Sequence, residues 1–115
     1  MATAHETLDA ARAAGRNLRD AIPGVYSGYL RMSTAAMSDD GELPGKIKEL
    51  IALAIGVTRE CDGCIASHAR GAADKGATAQ EVAEALGVTI QMNGGPGTVW
   101  APRAYEAFLE FAGGG

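Results

Sequence analysis

The sequence predicts a single all-α domain built as a helical bundle of five to six helices. Two observations support this prediction: apolar residues recur at helical spacing, and no segment combines β-branched residues with strict alternation. A third observation is the length of 115 residues with 47% apolar composition, which fits one domain spanning residues 1–115. Proline and glycine separate the helical segments from one another.

The first two predicted helices are delimited by turn residues. The first covers about Glu6–Ala21 and ends at a proline and glycine pair, and the second covers about Val25–Met37. The second ends at the polar loop 38–41. Each stop follows from residues that interrupt helical backbone geometry.

The third predicted helix runs from about Pro44, a residue favoured in a first turn, to Val57. Its apolar side chains cover one broad face. Beside that face lies a narrow stripe that holds Gly45, Glu49, Ala52 and Gly56. Because small residues permit close helix packing, Glu49 is expected where another helix can approach.

The fourth predicted helix covers about Asp62–Lys75 and ends at Gly76, a plausible C-cap. The fifth opens with Thr78 as its N-cap and Glu81 three residues later, which is the pattern of a capping box, and extends to about Met92. A sharp turn is expected at 94–97, before a last helix at about 99–111.

Composition excludes several functions and indicates an oligomer. Ten basic residues against fourteen acidic ones give a net charge of −4, without the basic surface that nucleic acids need. The longest apolar run, near Leu50–Ile55, is too short for a membrane span, and the N-terminus lacks a secretory pattern, so a cytoplasmic protein is expected. With two Phe, one Trp and three Tyr the core is thin, so a homo-oligomer is expected.

The two cysteines carry the clearest chemical signal. Cys61, Cys64 and His68 fall within an arc of about 60° on one helix, together with the small residues Gly71 and Ala72. Small residues there would let the preceding helix approach, so that its Glu49 could join the cluster. Three reactive side chains and a carboxylate are thus predicted to meet between two helices.

This set of residues suits thiol redox chemistry. A free thiol with a pKa of about 8.5 is mostly protonated at neutral pH. His68 can accept the proton of Cys64, Glu49 can orient the imidazole, and Cys61 can convert an oxidised sulfur into a disulfide. This chemistry needs no cofactor or metal. A zinc site formed by the same four residues and a pair of inert thiols remain alternatives.

The spacing E-x11-C-x2-C-x3-H, with its context from Lys46 to Thr78, resembles the carboxymuconolactone decarboxylase / alkylhydroperoxidase D-like superfamily. The resemblance implies an all-helical oligomer, a trimer or hexamer, that reduces hydroperoxides. It also implies that Cys64 attacks the peroxide, that Cys61 resolves it, and that Glu49 and His68 relay protons. The implied reductant is a thiol or a dihydrolipoyl-type protein. This chain has Gly63 where the prototype peroxidase has a second histidine.

Three functional hypotheses follow. The first is a thiol-dependent peroxidase or related disulfide oxidoreductase. The second is an acid–base enzyme that acts on a lactone with His68 as the base, although family members with that activity are not generally expected to retain the cysteine pair. The third is a non-enzymatic, oligomeric redox sensor whose disulfide changes its assembly.

Overall fold

The structure is a computed structural model that describes residues 2–113. Those residues form six α-helices and no strand, which confirms the all-α prediction. In chain order the helices are α1 (Ala4–Ala21), α2 (Pro23–Ala36), α3 (Gly45–Thr58), α4 (Asp62–Asp74), α5 (Ala79–Asn93) and α6 (Gly95–Ala112).

Helix α4 lies at the centre of the bundle, where it packs against α1, α3 and α6. Alanine allows these close contacts, since the buried faces of α4 and α6 each include three alanines. Larger side chains fill the space around them, and those that are most completely buried are Leu53, Val82 and Phe108. The core therefore combines six buried alanines with a similar number of larger aliphatic side chains and Phe108.

Helix α1 begins at Ala4, two residues before the predicted start. Thr3 and Glu6 form a capping box, in which the Thr3 hydroxyl accepts a hydrogen bond from the Glu6 backbone N–H and the Glu6 carboxylate accepts one from the Thr3 backbone N–H. The Glu110 carboxylate of α6 then accepts hydrogen bonds from the backbone N–H groups of Ala4 and His5, at 3.2 and 2.8 Å. These bonds attach the start of the chain to the last helix.

The turn predicted at 94–97 is shorter in the structure. Only Gly94 has a turn conformation, with φ of 69°, and α6 begins directly after it with Pro96 in its first turn. The following Gly97 is buried, and a Cβ there would lie 3.0 Å from the Cα of Ile90. Glycine at this position thus permits the close crossing of α5 and α6.

The predicted end of α4 at Gly76 and the predicted capping box at the start of α5 are both observed. Gly76 has φ of 82°, and its N–H and that of Ala77 bond back to Ala73 and Ala72, at 3.1 and 2.9 Å. This is the Schellman arrangement that ends many helices. The capping box of Thr78 and Glu81 then starts α5.

Helix α2 differs from the others because none of its residues is buried. It packs mainly against α1, and it exposes four large apolar side chains: Val25, Tyr29, Leu30 and Met32. Within residues 2–113, no helix combines the length and apolar character that crossing a membrane requires.

Candidate active site

The turn between α3 and α4 places the first cysteine at the start of α4. Glu60 has φ of 52°, in the left-handed region, and its N–H bonds to the Val57 carbonyl at 3.0 Å. The Cys61 N–H bonds to the carbonyl of Gly56, also at 3.0 Å. These two bonds form a Schellman arrangement in which Glu60 occupies the position usually taken by glycine, and Cys61 follows as the N-cap of α4.

The two cysteines form a disulfide, with their Cα atoms 5.3 Å apart. The Cys61 sulfur also accepts a hydrogen bond from the backbone N–H of Cys64, with 3.2 Å between nitrogen and sulfur. Cys64 is exposed and Cys61 is half-buried. Sequence spacing predicted the proximity of the pair, and the structure adds that Cys64 is the more exposed residue of the two.

Glycine lets α3 pass close to this turn. A Cβ on Gly56 would lie 3.3 Å from the Cβ of Cys64, closer than most side-chain contacts. On the other side of the turn, Gly63 faces α1, where a Cβ would lie 3.9 Å from that of Ala11. Gly56 thus lets α3 lie close to Cys64, whereas a Cβ at position 63 would make only an ordinary van der Waals contact with α1.

Glu49 of α3 and His68 of α4 form a hydrogen bond, with 2.8 Å between Oε2 and Nδ1. The Glu49 side chain is 12% exposed and that of His68 is 30% exposed. A carboxylate only accepts hydrogen bonds, so Nδ1 of His68 carries the hydrogen and Nε2 of the neutral ring is free to accept a proton. The predicted meeting of these two side chains is observed, and Cys64 lies one helical turn before His68.

A polar cleft of about 440 Å³ opens beside His68 and Glu49. One wall is the end of α2 and the loop after it, and the other is the exposed side of α4. Sequence analysis missed the remaining lining residues, which are Ser33, Thr34, Met37, Ser38, Asp39, Ser67 and Lys75. Helical spacing could have indicated Lys75, because it lies two turns after His68, but nothing local placed α2 there.

Asp39 fixes the loop that borders this cleft. Its carboxylate accepts a hydrogen bond from the backbone N–H of Gly45 at 2.8 Å and also pairs with the Lys75 ammonium. The hydrogen bond from Lys75 is the main reason why the pKa of Asp39 lies below its usual value of 3.8. The same contact raises the pKa of Lys75. An ion pair between Asp39 of the loop and Lys75 at the end of α4 therefore lies at the border of the cleft.

The zinc alternative has no counterpart in the observed geometry. Within residues 2–113, no group of three or more His, Cys, Asp and Glu side chains is arranged to hold a metal ion. The two sulfurs are bonded to each other, and the imidazole contacts the carboxylate.

Comparison with known proteins agrees with this architecture. Residues 23–113 match the sequence model of the carboxymuconolactone decarboxylase family. An uncharacterised protein of Cupriavidus necator is 40% identical over 91 residues, which cover 79% of this chain and 80% of that one. An uncharacterised protein of the cox locus of Paracoccus denitrificans is 31% identical over 98% of this chain and 95% of its own.

The fold also matches a solved structure. A crystal structure of a carboxymuconolactone decarboxylase family protein from Legionella pneumophila, without bound ligand, superimposes with a TM-score of 0.90 and 35% identity. The match covers 95% of this chain and 96% of the other. The similarity thus includes α1, which the matched residues 23–113 leave out.

Proposed function

This chain belongs to the carboxymuconolactone decarboxylase family, and we propose that it is a thiol-dependent peroxidase with Cys61 and Cys64 as its redox pair. The observation that supports this proposal most strongly is the disulfide at the N-terminus of α4, one turn before an imidazole oriented by a carboxylate. A nucleophile, a base and a group that orients the base are what covalent catalysis requires.

In the first step, the reduced Cys64 thiol loses its proton to Nε2 of His68, and the resulting thiolate attacks the distal oxygen of a hydroperoxide. The O–O bond breaks, an S–O bond forms, and the leaving alkoxide takes the proton from His68 to become an alcohol. Glu49 stabilises the transient imidazolium through its bond to Nδ1. Sulfur is oxidised to a sulfenic acid and the peroxide is reduced.

In the second step, the Cys61 thiolate attacks the sulfur of the sulfenic acid. The S–S bond forms and the hydroxyl group leaves, protonated to water. An external dithiol then attacks the disulfide, and it leaves oxidised while both cysteines regain their protons. The reductant is a thiol or a dihydrolipoyl-type protein.

The surroundings of the two sulfurs favour this assignment of roles. The exposed Cys64 is open to both the peroxide and the reductant. When a reductant attacks Cys64, the leaving thiolate is that of Cys61, which the N–H of Cys64 and the N-terminus of α4 stabilise. A stabilised thiolate is the better leaving group.

The test starts from the fully reduced protein, freed of excess reductant and treated with one equivalent of cumene hydroperoxide. Both thiols are expected to disappear, and mass spectrometry is expected to find a loss of two hydrogens. Cys64→Ser should abolish the fast reaction. Cys61→Ser should stop at a sulfenic acid that dimedone traps. With dithiothreitol present, the protein should consume peroxide continuously and faster than dithiothreitol does without the protein.

Two results would contradict the proposal. One is that both thiols survive prolonged exposure to the peroxide. The other is oxidation in a single round without turnover when a dithiol is supplied, which would favour a redox sensor. In that case the reduced and oxidised forms should differ in their state of assembly, as measured by analytical ultracentrifugation.

A second function is supported by the cleft, which is lined by Glu49 and His68 but by neither cysteine. An acid–base enzyme acting on a lactone would use Nε2 of His68 to remove a proton next to the carbonyl group. Replacing both cysteines by serine separates the two functions. Turnover of a lactone should survive this change, whereas peroxide reduction should not.

We also propose that the protein is a homo-oligomer, a trimer or hexamer, in which α2 is covered by another copy. Helix α2 has 14 residues, and its large apolar side chains are exposed on the single chain. A helix of this length is marginally stable without tertiary contacts. Light scattering coupled to size exclusion should give a mass several times 11.8 kDa. Leu30→Glu should reduce that mass, and a monomeric wild-type protein would contradict the proposal.

A further inference from the structure

We propose that Gly71 is a positioning residue for the proton relay, because only glycine there leaves room for the Glu49 carboxylate beside His68. This inference concerns the catalytic role of the Glu49–His68 pair and so rests on the proposed function. Its first observable, the hydrogen bond itself, can be measured without any activity.

The space that Glu49 occupies is the space that a side chain at position 71 would fill. Gly71 lies on α4, three residues after His68, and so faces the same helix, α3. A Cβ placed on Gly71 would overlap all three carboxyl atoms of Glu49 and would come within 2.6 Å of Oε1. Real Cβ atoms essentially never approach another atom closer than 3.0 Å.

An alanine at this position would therefore displace the carboxylate. The three overlapped atoms are the end of a flexible side chain, and the nearest atoms include no backbone. Glu49 can relieve the overlap by rotating into another rotamer, while α3 and α4 stay packed. That rotation breaks the 2.8 Å hydrogen bond to His68, because the bond is made by the same overlapped Oε2 atom.

This geometry predicts that fold stability and activity respond differently to the same substitution. Alanine is favoured over glycine within a helix, so Gly71→Ala should unfold at a temperature equal to or above that of the wild-type protein. A glycine that served only helix packing would instead lose stability on substitution. Gly87 provides the matched control, because it lies within α5 with open space around its Cα.

The direct test is a spectrum of the histidine rings. The chain has only two histidines, so a His5→Gln variant assigns the ring signals of His68 in ¹H–¹⁵N spectra. In Gly71→Ala, the His68 signals should shift to the positions seen in Glu49→Ala. In Gly87→Ala they should stay at the wild-type positions. Unchanged His68 signals in a folded Gly71→Ala protein would overturn the inference.

Activity gives a second, independent readout. Peroxide turnover by Gly71→Ala should fall by about tenfold or more, and the substitution should have no further effect in a Glu49→Ala background. An equal loss in that background would show that Gly71 acts by another route and would overturn the inference. If the His68 signals shift as expected but neither Glu49→Ala nor Gly71→Ala alters turnover, the positioning role stands and the proposed relay fails.

Discussion

Replacing Glu49 by glutamine tests the central electrostatic contact of the site. Glutamine has the size of glutamate, and its carbonyl oxygen can still accept the hydrogen bond from Nδ1 of His68. The substitution therefore removes one negative charge and leaves the contact in place. If Glu49 stabilises the charged imidazole during catalysis, the variant should remain folded and lose rate.

The size of the loss follows from the geometry of the pair. Two opposite charges about 4 Å apart attract each other by about 1 kcal/mol in water and about 4 kcal/mol near a protein surface. With Glu49 12% exposed and His68 30% exposed, the pair lies between these two limits. A value of about 2 kcal/mol corresponds to a rate about thirtyfold lower, since each 1.36 kcal/mol is a factor of ten.

The assay is steady-state consumption of cumene hydroperoxide with dithiothreitol as the reductant. The value of kcat/KM is compared between the wild-type protein, Glu49→Gln and the control Glu84→Gln. Glu84 is an exposed residue on α5 whose carboxylate accepts a hydrogen bond from Gln80, one turn earlier in the same helix. Thermal unfolding of all three proteins shows whether a lower rate reflects the site or the fold.

Two outcomes would refute the reasoning. An unchanged kcat/KM for Glu49→Gln would mean that the charge of Glu49 is not used in the rate-limiting step. A similar loss in Glu84→Gln would mean that overall charge, and not the contact with His68, sets the rate.

Three further predictions concern the stability of the fold. Gly76→Ala should lower the unfolding free energy by about 1–2 kcal/mol because φ at this residue is 82°, and urea titration against Gly87→Ala as control measures it. Phe108→Ala should cost about 3–5 kcal/mol, since the ring is 1% exposed, and a urea midpoint close to that of the wild-type protein would contradict this. Stability should fall as the pH drops below about 4.5. The backbone N–H of Thr78 lowers the pKa of Glu81, and that of His5 lowers the pKa of Glu110. The stability that these ionised carboxylates contribute is lost when they are protonated. Thermal unfolding from about pH 6 to pH 3 tests whether stability falls in this direction, and Glu81→Gln should make stability depend less steeply on pH.

Local sequence patterns predicted much of the secondary structure. Helix ends depend on a few neighbouring residues, so the capping box at Thr78 and the end of α4 near Gly76 were predicted correctly. The capping box at Thr3 follows the same rule, and it starts α1 two residues before the predicted position. The start of α6 was missed because two glycines beside Pro96 indicate a turn as strongly as a helix start.

The sequence alone determined that Cys61, Cys64 and His68 share one side of a helix, since helical periodicity fixes neighbours three and four residues apart. The sequence indicated that Glu49 could approach this side from the preceding helix, and the packing of α3 on α4 fixes its hydrogen bond to His68, because the distance between two helices depends on how their surfaces pack. Only the tertiary structure decided that α2 borders the cleft and that the space at Gly71 holds the Glu49 carboxylate. Contacts within a helix are local properties of the chain, whereas contacts between helices depend on the packing of the whole bundle.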